Sequence, residues 1–361
     1  MRNFILRRLF LGVFITVFGA MVVYTVIRSL PTSYVETIAR QRATNPLSTK
    51  TYQEWLDQLN AVYKLDVGII PGFVGWLGNA LKGDFGDSWH YGIPVTERFA
   101  QVIWYSLIIN VITFFVELFI SIPLGILAAR KQYSKTDYAI TVFALAGISL
   151  PTFFLATILK YVFSIKLGWF DLYGLTGRFF NSMTPFQQAM DIGYHMVLPI
   201  ITLMMLSVGG LMRYTRTNML EVLNSDYIRT ARAKGLSERV VINKHAFRNT
   251  LIPLVSYMSY LIPSMFGGAL ITETLFQIPG IGYVAFTAIV RGDIPFAMFY
   301  TTFLIVLTQV SLIIADITNP YSVNVLSGIE AACREKGRCR VSFYLHIYND
   351  EPLRKANQIY R

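Results

Sequence analysis

Charge, cysteine and histidine are all scarce in this chain of 361 residues. Charged residues make up 15% of the sequence, against about 25% in a typical soluble domain. Hydrophobic residues make up 54%, and the mean hydropathy is +0.47. The net charge of +11 does not indicate nucleic-acid binding, because no soluble domain is present to carry a basic face. Basic residues cluster instead at the ends of apolar runs, which favours a lipid bilayer as the partner.

Motifs for catalysis and for metal or nucleotide binding are also missing. The two cysteines, Cys333 and Cys339, lie near the end of the chain without zinc-site spacing. No Gly-x-x-x-x-Gly-Lys-Ser/Thr sequence is present to hold ATP phosphates, and no nucleophile–base pair stands out. We predict no catalytic residue, no metal site and no cofactor on this chain, so the energy for any driven process must come from another chain.

Six apolar runs are long enough to span a bilayer, which needs about 20 residues each. We predict an all-α integral membrane protein with six transmembrane helices. The predicted spans are Leu9–Ile27, Val102–Ala129, Tyr138–Leu159, Met196–Met212, Thr250–Thr272 and Pro295–Ala315. Four prolines are expected to interrupt and kink spans: Pro123, Pro151, Pro199 and Pro263. The first run lacks a small-residue cleavage site, so we expect a retained anchor.

The basic residues predict the orientation. The 213–248 loop carries eight Lys or Arg, whereas the 166–195 and 273–294 loops carry two and one. The positive-inside rule therefore places both termini and the 213–248 loop in the cytoplasm, in a multi-pass protein of the cytoplasmic membrane. The predicted domains are the cytoplasmic end and first span (1–30), an extracytoplasmic loop (31–98), a core with five spans (99–318) and a cytoplasmic tail without assigned role (319–361).

The large 31–98 loop is expected to contain two short amphipathic helices. A capping box at Thr51 and Glu54 starts the first, and Pro71 starts the second, which Gly83 ends. The predicted apolar faces contain Tyr52, Trp55, Leu56, Leu59, Val62 and Tyr63 in the first helix, and Phe73, Trp76, Leu77 and Leu81 in the second. These helices either lie on the membrane interface or contact an extracytoplasmic protein, and both roles are compatible.

Residues 226–248 combine two helical segments with a glycine between them. Asp226, or alternatively Ser225, is predicted to cap a helix over Tyr227–Lys234, and Ser237 to cap a second helix. Gly235 sits where a helix ends in a left-handed residue. Ala231 and Ala233 make this bend slim enough for another protein's backbone to approach, and basic residues surround it. Charge alone indicates only an ordinary cytoplasmic loop.

The spacing is more informative. The sequence TARAKGLSERVVINKHAFRN, at 230–249, resembles the EAA loop of ABC-importer permeases in the form found in the oligopeptide, dipeptide and nickel group. GDFGDSWHYGIPV at 83–95, and the segments around Pro279 and Pro295, resemble other parts of the same family. The chain departs from the family pattern at Thr32–Tyr34 and after Asn319. The resemblance covers about nine tenths of the chain.

The resemblance implies a type I importer permease fold, in which the loop forms a coupling helix that sits on an ATPase subunit. The implied partners are a second homologous permease, two cytoplasmic ATPase subunits that bind ATP and Mg²⁺, and an extracytoplasmic peptide-binding protein. The implied ATPase-coupling residues are Arg229, Thr230, Ala231, Arg232, Ala233, Lys234, Gly235 and Leu236. The expected binding-protein contacts are Trp55, Trp76, Asp84 and Trp89. The expected substrates are oligopeptides or dipeptides, with nickel or glutathione as alternatives.

Polar groups within the spans are few. Glu117 is the only charge in the second span and should face protein, water or a cation rather than lipid. Together with Asn110 it is a candidate for the substrate path, either as a contact for a substrate amino group or as an interhelical hydrogen bond. Lys160 is expected to extend to the lipid headgroups, and His90 to be an interfacial hydrogen-bonding residue. A secondary transporter without an ATPase is a less favoured alternative, because no inverted repeat is evident.

Overall fold

The structure is a computed structural model that describes residues 2–29, 34–45, 48, 50–63 and 65–318. The predicted tail at 319–361, with Cys333 and Cys339, lies outside the described residues, as does the departure at Thr32 and Ser33. The described part of the chain is helical, and its one β-type pairing is an isolated bridge between Asp87 and Pro94. The predicted all-α class is confirmed.

The helices follow one another along the chain, with the longer connections at residues 81–94 and 167–184. Their bounds are α1 Arg2–Ser29, α2 Tyr34–Ala43, α3 Tyr52–Val62, α4 Ile69–Ala80, α5 Val95–Arg130, α6 Lys135–Ser149, α7 Thr152–Leu159, α8 Pro185–Leu223, α9 Asp226–Ala233, α10 Glu238–Val240, α11 Phe247–Phe266, α12 Leu270–Phe276, α13 Ile281–Val290 and α14 Ile294–Thr318. Two π-helical turns, Lys160–Lys166 and Val241–Ala246, extend α7 and join α10 to α11.

Four helical stretches are long and apolar enough to cross a membrane unaided, beginning at Leu6, Val95, Pro185 and Ile294. Two bent pairs raise the number to six when each is counted as one span. The predicted count of six therefore holds only with two broken spans. The fourth span, expected to be 17 residues long, is part of a 39-residue helix, because a Thr184 capping box and Pro185 start it well before the apolar run.

The predicted third span is two helices that meet at 103°. Pro151 follows the end of α6 and precedes α7, and the residue before a proline is disfavoured in the helical region. For the other three prolines the predicted interruption is wrong. α5 continues through Pro123, α8 through Pro199 and α11 through Pro263. Proline identity alone does not distinguish a break from a tolerated position.

The predicted fifth span bends by 46° between α11 and α12. Gly267 and Gly268 lie in the bend, and Gly268 has a φ of +69°, which a residue with a Cβ adopts only with strain. The buried Glu273 carboxylate holds the bend from within α12. It accepts hydrogen bonds from the Ala269 amide at 2.8 Å, the Tyr283 amide at 2.8 Å and the Ser106 hydroxyl at 2.7 Å.

Long helices pack closely where small residues face a neighbour. α5 packs along α8, α6 also packs on α8, and α14 packs against both α1 and α11. A Cβ on Gly125 would clash with Thr215 and the Met212 carbonyl, and one on Gly209 would clash with the Ala144 carbonyl. The close approach of α8 to α5 and α6 therefore requires glycine at these positions, as expected for helices packed in a membrane.

The long α5 helix runs between the 84–94 segment and the 226–248 loop. Its first residue, Val95, is buried beside the 84–94 segment, and Ala129 near its end packs against Ile228 and Ala231. A helix of 36 residues is about 54 Å long at 1.5 Å per residue. The 84–94 segment and the 226–248 loop thus lie at opposite ends of the bundle.

The two short helices of the 31–98 segment exist, with corrections to their faces. The capping box at Thr51 and Glu54 is confirmed, with both reciprocal hydrogen bonds. Val62 is 64% exposed and Leu81 is 81% exposed, so neither belongs to the apolar face predicted for it. Val62 ends α3, and Leu81 lies beyond α4, where the helical periodicity no longer directs it inward. α4 begins at Ile69, two residues before the predicted Pro71.

Candidate functional site: the coupling loop and the central cavity

The 226–248 loop, here called the coupling loop, forms the predicted helix, glycine bend and second helix. α9 starts at Asp226, and Ser225 occupies the N-cap position. Of the two predicted cap residues, Ser225 is therefore the correct one by position. Neither Ser225 nor the predicted Ser237 makes a side-chain cap hydrogen bond. Gly235 has a φ of +76°, as the prediction required. The second helix does not stay separate but runs through a π-helical turn into α11.

The coupling loop is anchored from beneath by apolar side chains. Ile228, Ala231, Val241, Ile242 and Ala246 are buried together with Ala129 of α5 and Met219 of α8. Burial of these side chains connects the loop to the second, fourth and fifth spans, so displacement of the loop would be transmitted to them. Seven of the eight predicted coupling residues are exposed, and Ala231 is the buried exception.

An ion pair fixes the bend around Gly235, here called the elbow (Ala231–Gly235). The Arg232 Nε and Nη2 atoms donate to the two Glu238 carboxylate oxygens at 3.2 and 2.9 Å. This bidentate pair raises the pKa of Arg232, because its hydrogen bonds favour the charged guanidinium. It joins α9 to α10 across the glycine. A Cβ added at Gly235 would meet nothing within 4 Å, so the outer side of the elbow is open space.

A cavity of about 750 Å³ lies between the predicted second, third, fourth and fifth spans. We call it the central cavity. Asn110 and Glu117, in the middle third of α5, both line it, so the structure brings the two predicted substrate-path residues together. The Asn110 amide donates to the Met265 carbonyl at 2.9 Å, and Ser207, which donates to the Met204 carbonyl at 3.3 Å, lines the same cavity as Glu117. The cavity also includes Tyr257 and the Gly268–Thr272 bend of the fifth span.

Comparison with known proteins identifies the family. The sequence profile of the family described as "Binding-protein-dependent transport system inner membrane component" matches residues 121–323, more than half of the chain. The chain belongs to this family. It is a multi-pass membrane subunit of a transport system, and its relatives are named as permease proteins.

Curated relatives of this permease are similar over most of their length. The oligopeptide transport system permease protein AppB of Bacillus subtilis is 41% identical over 246 residues, which are 68% of this chain and 76% of AppB. The dipeptide transport system permease protein DppB of Alkalihalophilus pseudofirmus is 32% identical over 308 residues, 82% of this chain and 90% of DppB. A structure titled as inward-facing conformations of the MetNI methionine ABC transporter aligns at 15% identity over 62% of this chain and 97% of that chain, with a TM-score of 0.46.

The permease has a second groove, of about 290 Å³, at the end that carries the 84–94 segment. Trp76, Asp84 and Trp89 all line this loop groove, so three of the four expected binding-protein contacts come together. Trp55 does not line it. Its indole Nε1 donates to the Ser48 hydroxyl at 2.9 Å, and it packs in a separate cluster with Leu59 and the α2 residues Val35 and Ala39.

Buried carboxylates that the sequence did not single out organise the permease around these cavities. Asp293 is fully buried and accepts hydrogen bonds from the Ser88 hydroxyl and from the backbone amides of Trp89, His90 and Phe296. Glu273 holds the bend beside the central cavity. Both carboxylates lie in or beside the segments around Pro279 and Pro295 that resemble the family, which is the signal that could have identified them.

Lys160 corrects a further prediction. Its side chain does not extend to the headgroups but is buried, with Nζ 2.6 Å from the Leu275 carbonyl oxygen and 3.9 Å from the ring centroid of Tyr173. The bend after α6 turns α7 inward, so that Lys160 faces the end of α12 instead of the lipid.

Proposed function

We propose that this chain is the translocation subunit of an ATP-driven importer for oligopeptides or dipeptides. The observation that carries the substrate class is its similarity to permeases named for oligopeptide and dipeptide transport. The central cavity, at about 750 Å³, is within the range of roughly 300–1,000 Å³ that small-ligand sites occupy. Nickel and glutathione, the alternatives within the family, have no comparable support.

In this proposal the coupling loop receives movement from ATPase subunits that hold ATP and Mg²⁺. The exposed elbow offers a slim backbone for a partner groove, and the apolar anchor beneath it connects to three spans. ATP binding closes the ATPase pair, the coupling loop moves with it, and the central cavity changes from inward-facing to outward-facing. A second homologous permease completes the translocation path, and hydrolysis resets the assembly.

The loop groove serves in this proposal as the docking surface for an extracytoplasmic peptide-binding protein. Trp76 and Trp89 supply aromatic area and Asp84 supplies an exposed acidic group, which suits a surface that must bind and release. The proposal places this groove outside the cell and the coupling loop, at the other end of α5, in the cytoplasm.

Substitution of Gly235 tests the coupling step. Gly235→Val forces a β-branched residue into a left-handed conformation, at a cost of about 1–2 kcal/mol, and also widens the elbow. We expect the reconstituted complex to assemble, with loss of ATP-dependent uptake of a labelled tetrapeptide and loss of ATPase stimulation by loaded binding protein.

Gly235→Asn is the matched variant, because Asn tolerates left-handed backbone but still adds a side chain. Loss of coupling in both variants supports close approach of a partner backbone, whereas loss in the valine variant alone attributes the effect to strain. Full coupled uptake in both variants would contradict the role assigned to the elbow. Uptake of nickel but not of peptides would contradict the substrate class.

A further inference from the structure

Glu117 differs from the other buried carboxylates in how it is satisfied. The Asp137 carboxylate accepts hydrogen bonds from Arg216 Nε and Nη2, at 2.8 and 2.7 Å, and from the Tyr133 amide. Glu273 and Asp293 each accept two or more backbone amides and a serine hydroxyl. Glu117 has at most the Ser207 hydroxyl, which itself donates to the Met204 carbonyl at 3.3 Å, and none of the ion pairs among the described residues includes Glu117.

Glu117 is also the one charged residue among the described residues that line the central cavity. Its side chain is 6% exposed, and most of its neighbours in the cavity wall are apolar. Taking a carboxylate out of water without a compensating cation costs several kcal/mol. A carboxylate needed only for helix packing would be saturated by donors, as the other three are. The incomplete satisfaction of Glu117 leaves its carboxylate able to accept a donor from outside this chain.

Nearby hydroxyl groups add acceptors suited to a cation. Thr113 lies one turn before Glu117 on α5, is 7% exposed, and its hydroxyl has no hydrogen-bond partner among the described residues. Tyr257 and Ser207 line the same cavity from α11 and α8. An ammonium group has three donors and no acceptor, so a carboxylate with neighbouring hydroxyl oxygens matches it.

We propose that Glu117 binds the free amino terminus of the transported peptide within the central cavity. This proposal rests on the proposed function. The amino terminus is the cation that every unmodified peptide carries, whereas Lys and Arg side chains occur in some peptides only. A carboxylate directed at that group therefore selects peptides as a class without selecting their sequence.

Equilibrium binding to the purified complex without the binding protein tests this, because the binding protein's own selectivity is then absent. The probes are a tetrapeptide of small neutral residues with a fluorophore at its carboxyl end and the same peptide with an acetylated amino terminus. We expect the wild-type complex to prefer the free amine. Glu117→Gln should raise Kd for the free amine about tenfold, in line with loss of one charge-assisted hydrogen bond, and leave Kd for the acetylated peptide unchanged.

Glu97→Gln is the matched control, because Glu97 is an exposed carboxylate on the same helix that does not line the cavity. It should bind both peptides as the wild type does. Glu117→Asp keeps the charge and should retain part of the preference for the free amine over the acetylated peptide. This variant still tests the role of Glu117 if the Glu117→Gln complex does not assemble.

Equal weakening of both peptides in Glu117→Gln, or no change in either, would overturn the role of Glu117. Absence of binding of both peptides to the wild-type complex would overturn it as well. ATP-dependent peptide uptake by the complete system, measured in parallel in proteoliposomes, reports separately on the proposed function. If the complete system takes up peptides but the purified complex shows no preference for the free amine, the Glu117 assignment is refuted and the proposed function is not.

Discussion

His90 and Arg291 form an unusual pair of residues at the loop groove end of the molecule. The Arg291 Nη1 atom lies 3.2 Å from His90 Nδ1 and 3.0 Å from Nε2. Burial lowers the pKa of His90, Arg291 and Arg98 lower it further, and Asp293 opposes them. The sequence predicted an interfacial hydrogen-bonding residue here. The structure adds that burial and the adjacent Arg291 guanidinium both favour the neutral imidazole of His90.

Acidification should loosen the 84–94 segment through His90. The pKa of His90 in the folded state lies below its ordinary value of 6.5. The packing of neutral His90 therefore contributes its full stability above pH 6.5, and this contribution is lost as the pH falls through the folded-state pKa. After correction for intrinsic exchange rates, we expect faster hydrogen exchange at residues 88–93 at about pH 5.5 than at about pH 7.5, by less than about tenfold.

His90→Asn should remove this pH dependence, since Asn keeps a polar group without the titration. Arg98→Gln is the comparison that keeps His90 and Arg291 and removes a more weakly acting cation, together with its stacking on Tyr91, where the Arg98 Cζ lies 4.3 Å from the ring centroid. An unchanged pH dependence in the Asn variant would show that another group titrates in this segment.

At the scale of elements, one carboxylate joins two segments that are about 200 residues apart in the chain. Asp293, at the start of α14, accepts the amides of Trp89 and His90, both at 3.1 Å, and the Ser88 hydroxyl. Trp89 then packs on Tyr63, with ring centroids 4.7 Å apart. The 84–94 segment contains only turn hydrogen bonds and the isolated Asp87–Pro94 bridge, and this buried acceptor positions one wall of the loop groove against the bundle.

Asp293→Ala should release the 84–94 segment from the bundle. The substitution leaves buried backbone donors unpaired, at a cost of about 1–3 kcal/mol for each. We expect faster hydrogen exchange at Ser88–His90 and weaker docking of the binding protein, measured by its stimulation of ATP hydrolysis. Asp87→Asn, which changes a neighbouring exposed carboxylate, should leave both measurements unchanged. Wild-type exchange rates in Asp293→Ala would contradict the positioning role of Asp293.

The whole molecule is organised by α5, which carries the loop groove segment at its start, the central cavity in its middle and the coupling-loop anchor at its end. A single helix therefore relates the three regions along one axis. The orientation of that axis follows from the distribution of basic residues, and both termini are predicted to be cytoplasmic.

The two native cysteines provide a test of this orientation. Cys333 and Cys339 should react with a membrane-impermeant maleimide in inside-out vesicles but not in intact cells or right-side-out vesicles. A variant with both cysteines replaced and Asp87→Cys introduced should show the reverse pattern. Labelling of the native pair from outside would place the carboxyl end, and with it the coupling loop, on the wrong side for the proposed function.

Local patterns determined much of this protein before any tertiary contact was considered. Runs of apolar residues determined an all-α membrane fold with up to six spans, because about 20 apolar residues in helical form cross a bilayer, although two of these spans are broken. Gly235 and its neighbours determined the elbow, and the Thr51 capping box determined the start of α3, since both depend on residues a few positions apart. Family resemblance pointed to the coupling loop and to the segments around Pro279 and Pro295.

Contacts between distant residues were decided by tertiary structure alone. Pro151 breaks a span while Pro123 and Pro199 do not, because neighbouring helices determine where freed backbone groups are accommodated. Lys160 is buried and Asp293 is a central acceptor because their partners lie 115 and more than 200 residues away. A one-dimensional sequence carries the charge of a side chain, but the partner that neutralises or satisfies that charge is determined by how the helices pack.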